Sequence, residues 1–324
     1  MPGGKERALR RQIRSVQSTK KITKAMELIA ASRIVKAQQR VAAARPYSER
    51  ITEVIRNLAA AGAGGGSPLL VEREQIGTVA YVVVAADRGL SGAYNSSVIR
   101  AAERSMQRQR AEGRQTRLIT VGRKAQSYFR FRGWEIDQAY TGISDTPTYE
   151  DARRVAEYVV TRFETGEYDL VELAYTQFLS AASQRVAIRR FVPLDPSMLE
   201  TAAEEGLTAA YEFEPGPQEI LDRLLPRYAE ARLYAALLEG TASFFAAQQR
   251  AMKSATDNAE ELIVKYSRAM NRARQDAITT EIMEIVGGAE AMRAAKAKGG
   301  DLLVDHALMS ADVLKDSLDH SVRG

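Results

Sequence analysis

No cysteine occurs in the 324 residues, which excludes a disulfide framework, thiolate metal sites and any thiol-based redox switch. Histidine is almost as scarce. The two present, His306 and His320, sit near the C-terminus, so the body of the chain holds neither a histidine-built metal centre nor a Ser/His/Asp or Cys/His arrangement. Long apolar runs are also missing: the longest, Val79 to Ala86, falls far short of the about 20 residues a bilayer span needs. The basic stretch Met1 to Arg14 lacks the apolar centre of a signal peptide. These absences lead to the expectation of a protein that is cytoplasmic or peripheral to a membrane. Aromatics make up only 7% of the chain while alanine is abundant, a balance that suits helices packed closely together.

Charge is unevenly placed. Net charge is +5, yet residues 1–60 alone carry fourteen Lys or Arg against four Glu. Such a basic segment suits nucleic acid, acidic lipid or an acidic protein surface, or is simply a solvated helix face. Residues 5–60 contain no glycine and one proline, Pro46, which is expected to kink the helix or interrupt its hydrogen bonding. Apolar positions recur at Leu9, Ile13, Val16, Ile22, Met26 and Ile29, then at Ile34, Ala37, Val41, Ala44, Ile51, Ile55 and Leu58. Steps of three and four make one stripe, with slips of phase near Lys20 and Ile34.

The C-terminal segment is more regular. From Leu221 the same steps pass through Tyr228, Leu238, Ala242, Phe245, Met252, Thr256, Ala259 and Ala273 to Ala277. Each terminal helix should be about 80–100 Å long at 1.5 Å per residue. A helix of that length must bury its stripe against another long helix, so the two ends are expected to pair antiparallel. The middle reads differently. Ala61–Ser67 looks like a flexible linker, and Thr78–Ala85 is a β-branched run suited to a buried parallel strand. Helix near Ser96–Glu112, strand Arg117–Val121, helix from Arg123 and helix Tyr149–Glu164 follow. Strands Asp169–Gln177 and Arg185–Val192 are close enough to form an antiparallel pair. Residues 195–217 read as an acidic, proline-containing loop. The fold class is α/β: a long antiparallel coiled coil plus a Rossmann-like domain with a mostly parallel sheet. The segments are 1–60, 61–215, 216–292 and a C-terminal extension, 293–324. There Gly299-Gly300-Asp301 should break one helix and cap another, with Leu303, Ala307, Leu314 and Leu318 as a short stripe.

Little in this frame points to chemistry. The turn Asp87-Arg88-Gly89-Leu90-Ser91-Gly92-Ala93-Tyr94-Asn95 follows a strand, but lacks both the G-x-G-x-x-G spacing and a Walker-type Gly-Lys-Ser/Thr. Gly122-Arg123-Lys124 places two cations near a helix start, a weak signal. Carboxylate pairs Glu260/Glu261 and Glu281/Glu284 fit helix surfaces better than acid–base work. No catalytic, cofactor or metal residues are expected. A nucleotide-dependent enzyme on the central sheet and a nucleic-acid-binding basic coiled coil are the competing readings.

Three stretches carry a resemblance that neither competitor explains. They are Ile22-Thr23-Lys24-Ala25-Met26 with Ala31-Ser32-Arg33, the Asp87–Asn95 turn, and Met252–Ala259 continuing to Ala277–Ala289. In that order they are similar to the gamma, or central-stalk, family of F-type ATP synthases, over roughly residues 5–291 and nearest to actinobacterial members. The resemblance implies a rotary shaft without an active site, inside a ring of three alpha and three beta subunits. Its α/β domain would sit on the c-ring beside epsilon, on the cytoplasmic face of the bacterial plasma membrane. It implies no nucleic acid partner, and membrane contact only through the c-ring. Lys24, Met26 and Arg33 become candidates for contact with an acidic lever segment of the catalytic subunits. Gln275, Thr279 and Glu281 become candidates for a catalytic-subunit loop, and Asp87 and Arg88 belong to the signature turn. The chain departs from the family where Ala-Ser-Glu-x-Ala-Ala-Arg is replaced by Ala242-Ser243-Phe244-Phe245-Ala246-Ala247-Gln248. Apolar packing is expected there in place of charge. The cysteine-bearing insert of chloroplast members and the mycobacterial insert near Glu164–Asp169 are absent.

Overall fold

The computed structural model describes the backbone of residues 3–61, 63, 66–194, 214 and 216–319, with side chains of residues 4–296 within those ranges, residue 60 excepted. Two compact units result, residues 21–256 and residues 1–20 with 257–324. The elements are α1 (Gly3–Ala60), β1 (Thr78–Val84), α2 (Tyr94–Ala111), β2 (Gln115–Val121) and α3 (Arg123–Phe131), then β3 (Gln138–Tyr140), α4 (Tyr149–Glu164), β4 (Leu170–Phe178), β5 (Gln184–Val192) and α5 (Pro217–Asp319).

In the larger unit the sheet runs β3-β2-β1-β4-β5. The first four strands are parallel and β5 is antiparallel to β4, as the strand spacing predicts. β1 lies in the middle and is buried on both faces, because alternate side chains of a strand point to opposite sides. Val79, Tyr81 and Val83 pack under α2 and α3 with Met106 and Phe129. Ala80, Val82 and Val84 pack on the other side with Val155 and Val159 of α4, together with Ile51, Ile55 and Leu58 of α1 and Leu221, Leu225 and Leu233 of α5. The inner ends of the terminal helices thus form part of the layer covering one sheet face. α4 begins with a capping box in which Thr148 and Asp151 exchange hydrogen bonds, worth about 1 kcal/mol. The short β3 escapes sequence reading, since three residues carry no period.

Pro46 does not end α1, which continues to Ala60. Burial of Ile51, Ile55 and Leu58 on its far side holds the helix through the interruption. Within the expected linker, Ala63 and Ser67 are buried, as are Leu69 and Leu70 just after it. The 195–213 part of the expected acidic loop lies outside the described residues.

The two terminal helices run antiparallel within this unit. Thr23 and Thr256 share a buried hydroxyl hydrogen bond of 2.8 Å, and the guanidinium of Arg33 stands 5.4 Å over the Phe245 ring. Along α5 no described position of the expected stripe, from Leu221 to Ala277, is exposed. The stripe on α1 needs correction. Thr23 and Ala30 are buried, whereas Ile22 and Ile29 are more than half exposed, along with Leu28 and Val35. No phase slip is required at Lys20: at these positions the smaller Thr23 and Ala30 take the seam, and the neighbouring Ile22 and Ile29 are left outside. In the smaller unit Ile13, Ala259 and Ala273 are buried and Lys20 pairs with Glu260 at 3.2 Å. Every described side chain from Ile278 to Lys296 is exposed. α5 crosses Gly299 and Gly300 without a break, contrary to the expected stop there. Two glycines cost about 1 kcal/mol each relative to alanine, too little to end a helix flanked by good helix formers. The stripe of Leu303, Ala307, Leu314 and Leu318 lies outside the residues whose side chains are described.

Candidate functional site

Sheets of this winding bind nucleotides outside the carboxyl ends of the strands, where the strand order reverses. Here the reversal falls between β1 and β4, and α5 occupies that ground. Tyr94 Oη donates to Gly240 O at 2.9 Å, and Thr241 Oγ1 to Ser144 O at 2.8 Å. Ser243 Oγ donates to Thr176 O at 3.1 Å, and Phe178 N donates to Glu239 Oε2 at 3.2 Å. Four of the five residues Glu239–Ser243 therefore bond to three segments at the sheet's edge. Gly240 allows the approach: a Cβ there would stand 3.3 Å from Tyr94 Oη and 3.5 Å from Val84 Cγ1. Burial pushes the Tyr94 phenol well above its ordinary pKa, so it stays a donor. Ala86, Tyr94, Ala242, Phe244, Phe245 and Ile34 fill the crevice as one apolar cluster. Phe244, the departure from the family pattern, lies edge-on to Tyr94 with ring centroids 5.6 Å apart, so apolar packing does stand there.

The anion seat at the start of α3 is likewise taken from within. Asp87 Oδ1 accepts from Arg123 N at 3.0 Å and Gly142 N at 2.9 Å, while Oδ2 accepts from Ser144 N at 3.1 Å and Ser144 Oγ at 2.8 Å. Burial raises the pKa of this carboxyl, but the four hydrogen bonds outweigh it and the net shift is downward. Gly122, with φ of +94°, passes so close to β1 that a Cβ would come within 2.2 Å of Ala85 O. The turn after Asp87 is tightly wound too, with Leu90 at φ +61° and Gly92 at +57°.

Arg33, Asp87 and Arg88 come together at one cleft of about 520 Å³ beside this turn. Arg33 and Arg88 both reach Asp145 Oδ2, at 3.7 and 3.4 Å. Lys24 is exposed and pairs with Glu27 at 3.1 Å, and Met26 is half-buried; neither lines the cleft. Gln275, Thr279 and Glu281 are exposed in the smaller unit, and the Thr279 hydroxyl donates back to Gln275 O. Sequence reasoning did not single out Asp145, Lys36 or Arg40. The spacing of Arg33, Lys36 and Arg40 puts all three on one helix face, but only the tertiary fold shows that the face borders a cleft.

A family profile described as ATP synthase matches residues 5–292. The ATP synthase gamma chain of Frankia casuarinae is 52% identical over 293 residues, covering 89% of this chain and 98% of that protein. The chain belongs to the ATP synthase gamma chain family. The gamma chain of Mycolicibacterium vanbaalenii is 49% identical over 305 residues, covering 90% of this chain and 98% of its own length. Among solved structures, a chain of the Euglena gracilis mitochondrial ATP synthase (OSCP/F1/c-ring, rotational state 3) shares the fold with a TM-score of 0.63 at 19% identity. That match covers 91% of this chain and 96% of that one. A chain from the central stalk and c-ring of the Tetrahymena thermophila enzyme gives 0.55 at 23%, covering 72% and 99%. Gamma chains are the central-stalk subunit of ATP synthase, and this one is a non-catalytic subunit of that membrane-associated complex. Among the described residues no helix is long and apolar enough to cross a membrane. The filled switch point gives the physical reason that a Rossmann-like sheet serves here as a mount for helices.

Proposed function

We propose that the chain is the turning shaft between a proton-driven c-ring and the catalytic subunits, with 1–60 and 216–292 as the helix pair and 61–215 as the base. Three alpha and three beta subunits surround the pair, epsilon sits beside the base, and the base rests on the c-ring at the cytoplasmic face of the plasma membrane. The observation that carries this reading is the hydrogen-bonded attachment of Glu239–Ser243 to the sheet edge, next to the antiparallel seam. A shaft transmits twist only if it cannot swivel on its mount, and several directional bonds over five residues oppose swivelling where apolar packing alone permits slip.

Three identical partners around one asymmetric shaft meet different surfaces, so each is biased toward a different conformation, and rotation passes the bias along. Lys24, Met26 and Arg33 meet an acidic lever segment of the catalytic subunits, Gln275, Thr279 and Glu281 meet a catalytic-subunit loop, and Asp87 and Arg88 belong to the signature turn. Asp87 acts through the turn it holds. Exposed Ile22, Leu28, Ile29 and Val35 supply apolar surface beside Lys24. Residues 293–324, beyond the family match, restrain rotation. The absence of cysteine permits a direct test. Phe131 is 88% exposed, so Phe131→Cys takes a bead or fluorophore without disturbing the core. Assembled with alpha and beta subunits of an actinobacterial relative and given ATP, the labelled chain is expected to turn in one direction with three dwells per revolution. Hydrolysis without rotation of the label would defeat the reading.

A further inference from the structure

The cleft beside Asp87 holds more positive charge than the chain itself neutralises. Arg33, Lys36 and Arg40 of α1, Arg88 of the turn after β1 and Arg123 at the start of α3 all line it. Among the described residues only two carboxylates line it with them. Asp87 accepts from the backbone amides and hydroxyl already described and also pairs with Arg123 Nε at 3.8 Å. Asp145 is divided between Arg33 and Arg88 at 3.7 and 3.4 Å, and its Oδ1 is buried with no hydrogen-bond partner among the described residues. Among the described residues neither Lys36 nor Arg40 has an ion-pair partner.

Cations gathered on a concave surface repel one another until a counter-charge enters. A monovalent ion screens them only loosely. A multivalent oxyanion neutralises several at once, and its oxygens match the forked donors of guanidinium groups. The backbone at the start of α3 takes no part, because Arg123 N already donates to Asp87 and Lys124 N to Ala86 O at 3.1 Å. Recognition therefore falls to side chains. The apolar part of the lining comes from Ala37, Leu238 and Phe245, and the Phe245 ring lies 5.4 Å under the Arg33 guanidinium. At about 520 Å³ the cleft is within the ordinary size of small-molecule sites, about 300–1,000 Å³.

We propose that this cleft binds a multivalent phosphate anion, either inorganic phosphate or pyrophosphate or the phosphate chain of a nucleotide. Arg33, Lys36, Arg40 and Arg88 are its ligands, and binding involves no chemical step. The proposal is independent of rotation and concerns the full chain by itself. Calorimetric titration at fixed ionic strength, with phosphate, pyrophosphate and ATP in separate experiments, provides the test. Saturable binding at one site is expected, tighter for pyrophosphate than for phosphate. ATP tighter than pyrophosphate makes the ligand a nucleotide with its base on the apolar part of the lining; equal affinities make it the phosphate chain alone. The double variant Lys36→Ala/Arg40→Ala removes two ligands and should weaken binding at least about tenfold, the floor set by losing a single charge-assisted hydrogen bond. Removal of the same charge from exposed positions on α2 and α3, Arg104→Ala/Arg130→Ala, should change it less than about twofold, since screened charges at a distance contribute little. Circular dichroism melting confirms that both variants fold. Absence of saturable binding for all three anions overturns the proposal, and so does equal weakening in the two double variants. Capture of a glutamate-rich peptide that pyrophosphate fails to displace also overturns it.

Discussion

Asp87 joins four donors from two segments, the start of α3 and the loop holding Gly142 and Ser144, with its side chain only 6% exposed. Its folded pKa lies below the ordinary carboxylate value, because the hydrogen bonds outweigh the upward push of burial. The stability it contributes is therefore fully present above the unfolded pKa of about 3.9 and is lost as pH falls through the folded value. Asp87→Asn keeps one acceptor oxygen but turns an amide N–H₂ toward existing donors. A loss of about 2–3 kcal/mol is expected at neutral pH, the cost of leaving buried donors unpaired beside a former charge. Urea unfolding of the two proteins should show the gap narrowing below pH 4. An equal gap at pH 7 and pH 3 would mean that the carboxylate's charge contributes nothing. The signature turn was visible in the sequence as a motif, but its role was not. A motif names residue types, whereas the donors to Asp87 come from Arg123, Gly142 and Ser144, more than 30 positions away.

At the scale of elements, the seam between α1 and α5 depends on small residues. Ala30 and Ala242 are fully buried and Ala246 nearly so. Ala242→Leu adds three carbons where Ala86, Tyr94 and Phe245 already pack, and is expected to cost about 1–3 kcal/mol as neighbours are forced from their rotamers. Thermal unfolding measures it; an unchanged melting temperature would show spare room in the seam. The stripe on α5 was read correctly because its apolar steps are regular. The stripe on α1 was misread at Ile22 and Ile29 because hydrophobicity was taken as burial. In a close-packed helix pair the position nearest the axis goes to the residue that fits, here Thr23 and Ala30. The larger residues beside them are left on the outer surface, where a partner subunit is proposed to meet them. The Gly299-Gly300 pair was over-read for a related reason. Local penalties of about 1–3 kcal/mol do not end a helix that packing or long helical flanks sustain.

For the whole molecule, the proposed restraint by residues 293–324 has a direct test. Ending the chain at Met292, the last residue of the family match, should leave assembly with alpha and beta subunits intact. ATP hydrolysis by the assembled complex is expected to rise about fivefold, the low end of ordinary coupling energies. An unchanged rate removes the tail from rotary control. Sequence alone determined the α/β class, the parallel sheet with its antiparallel last strand, the long terminal helices and the family. Those features are written in periods and motifs that are local, or repeat over many turns. Only the tertiary structure decided that α5 fills the nucleotide crevice, that Asp87 serves as an internal anion, and that Arg33, Lys36, Arg40, Arg88 and Arg123 share one cleft. Each of these depends on side chains far apart in the chain meeting at the carboxyl edge of the sheet. Such meetings follow from how helices pack on strands, which no single stretch of residues encodes.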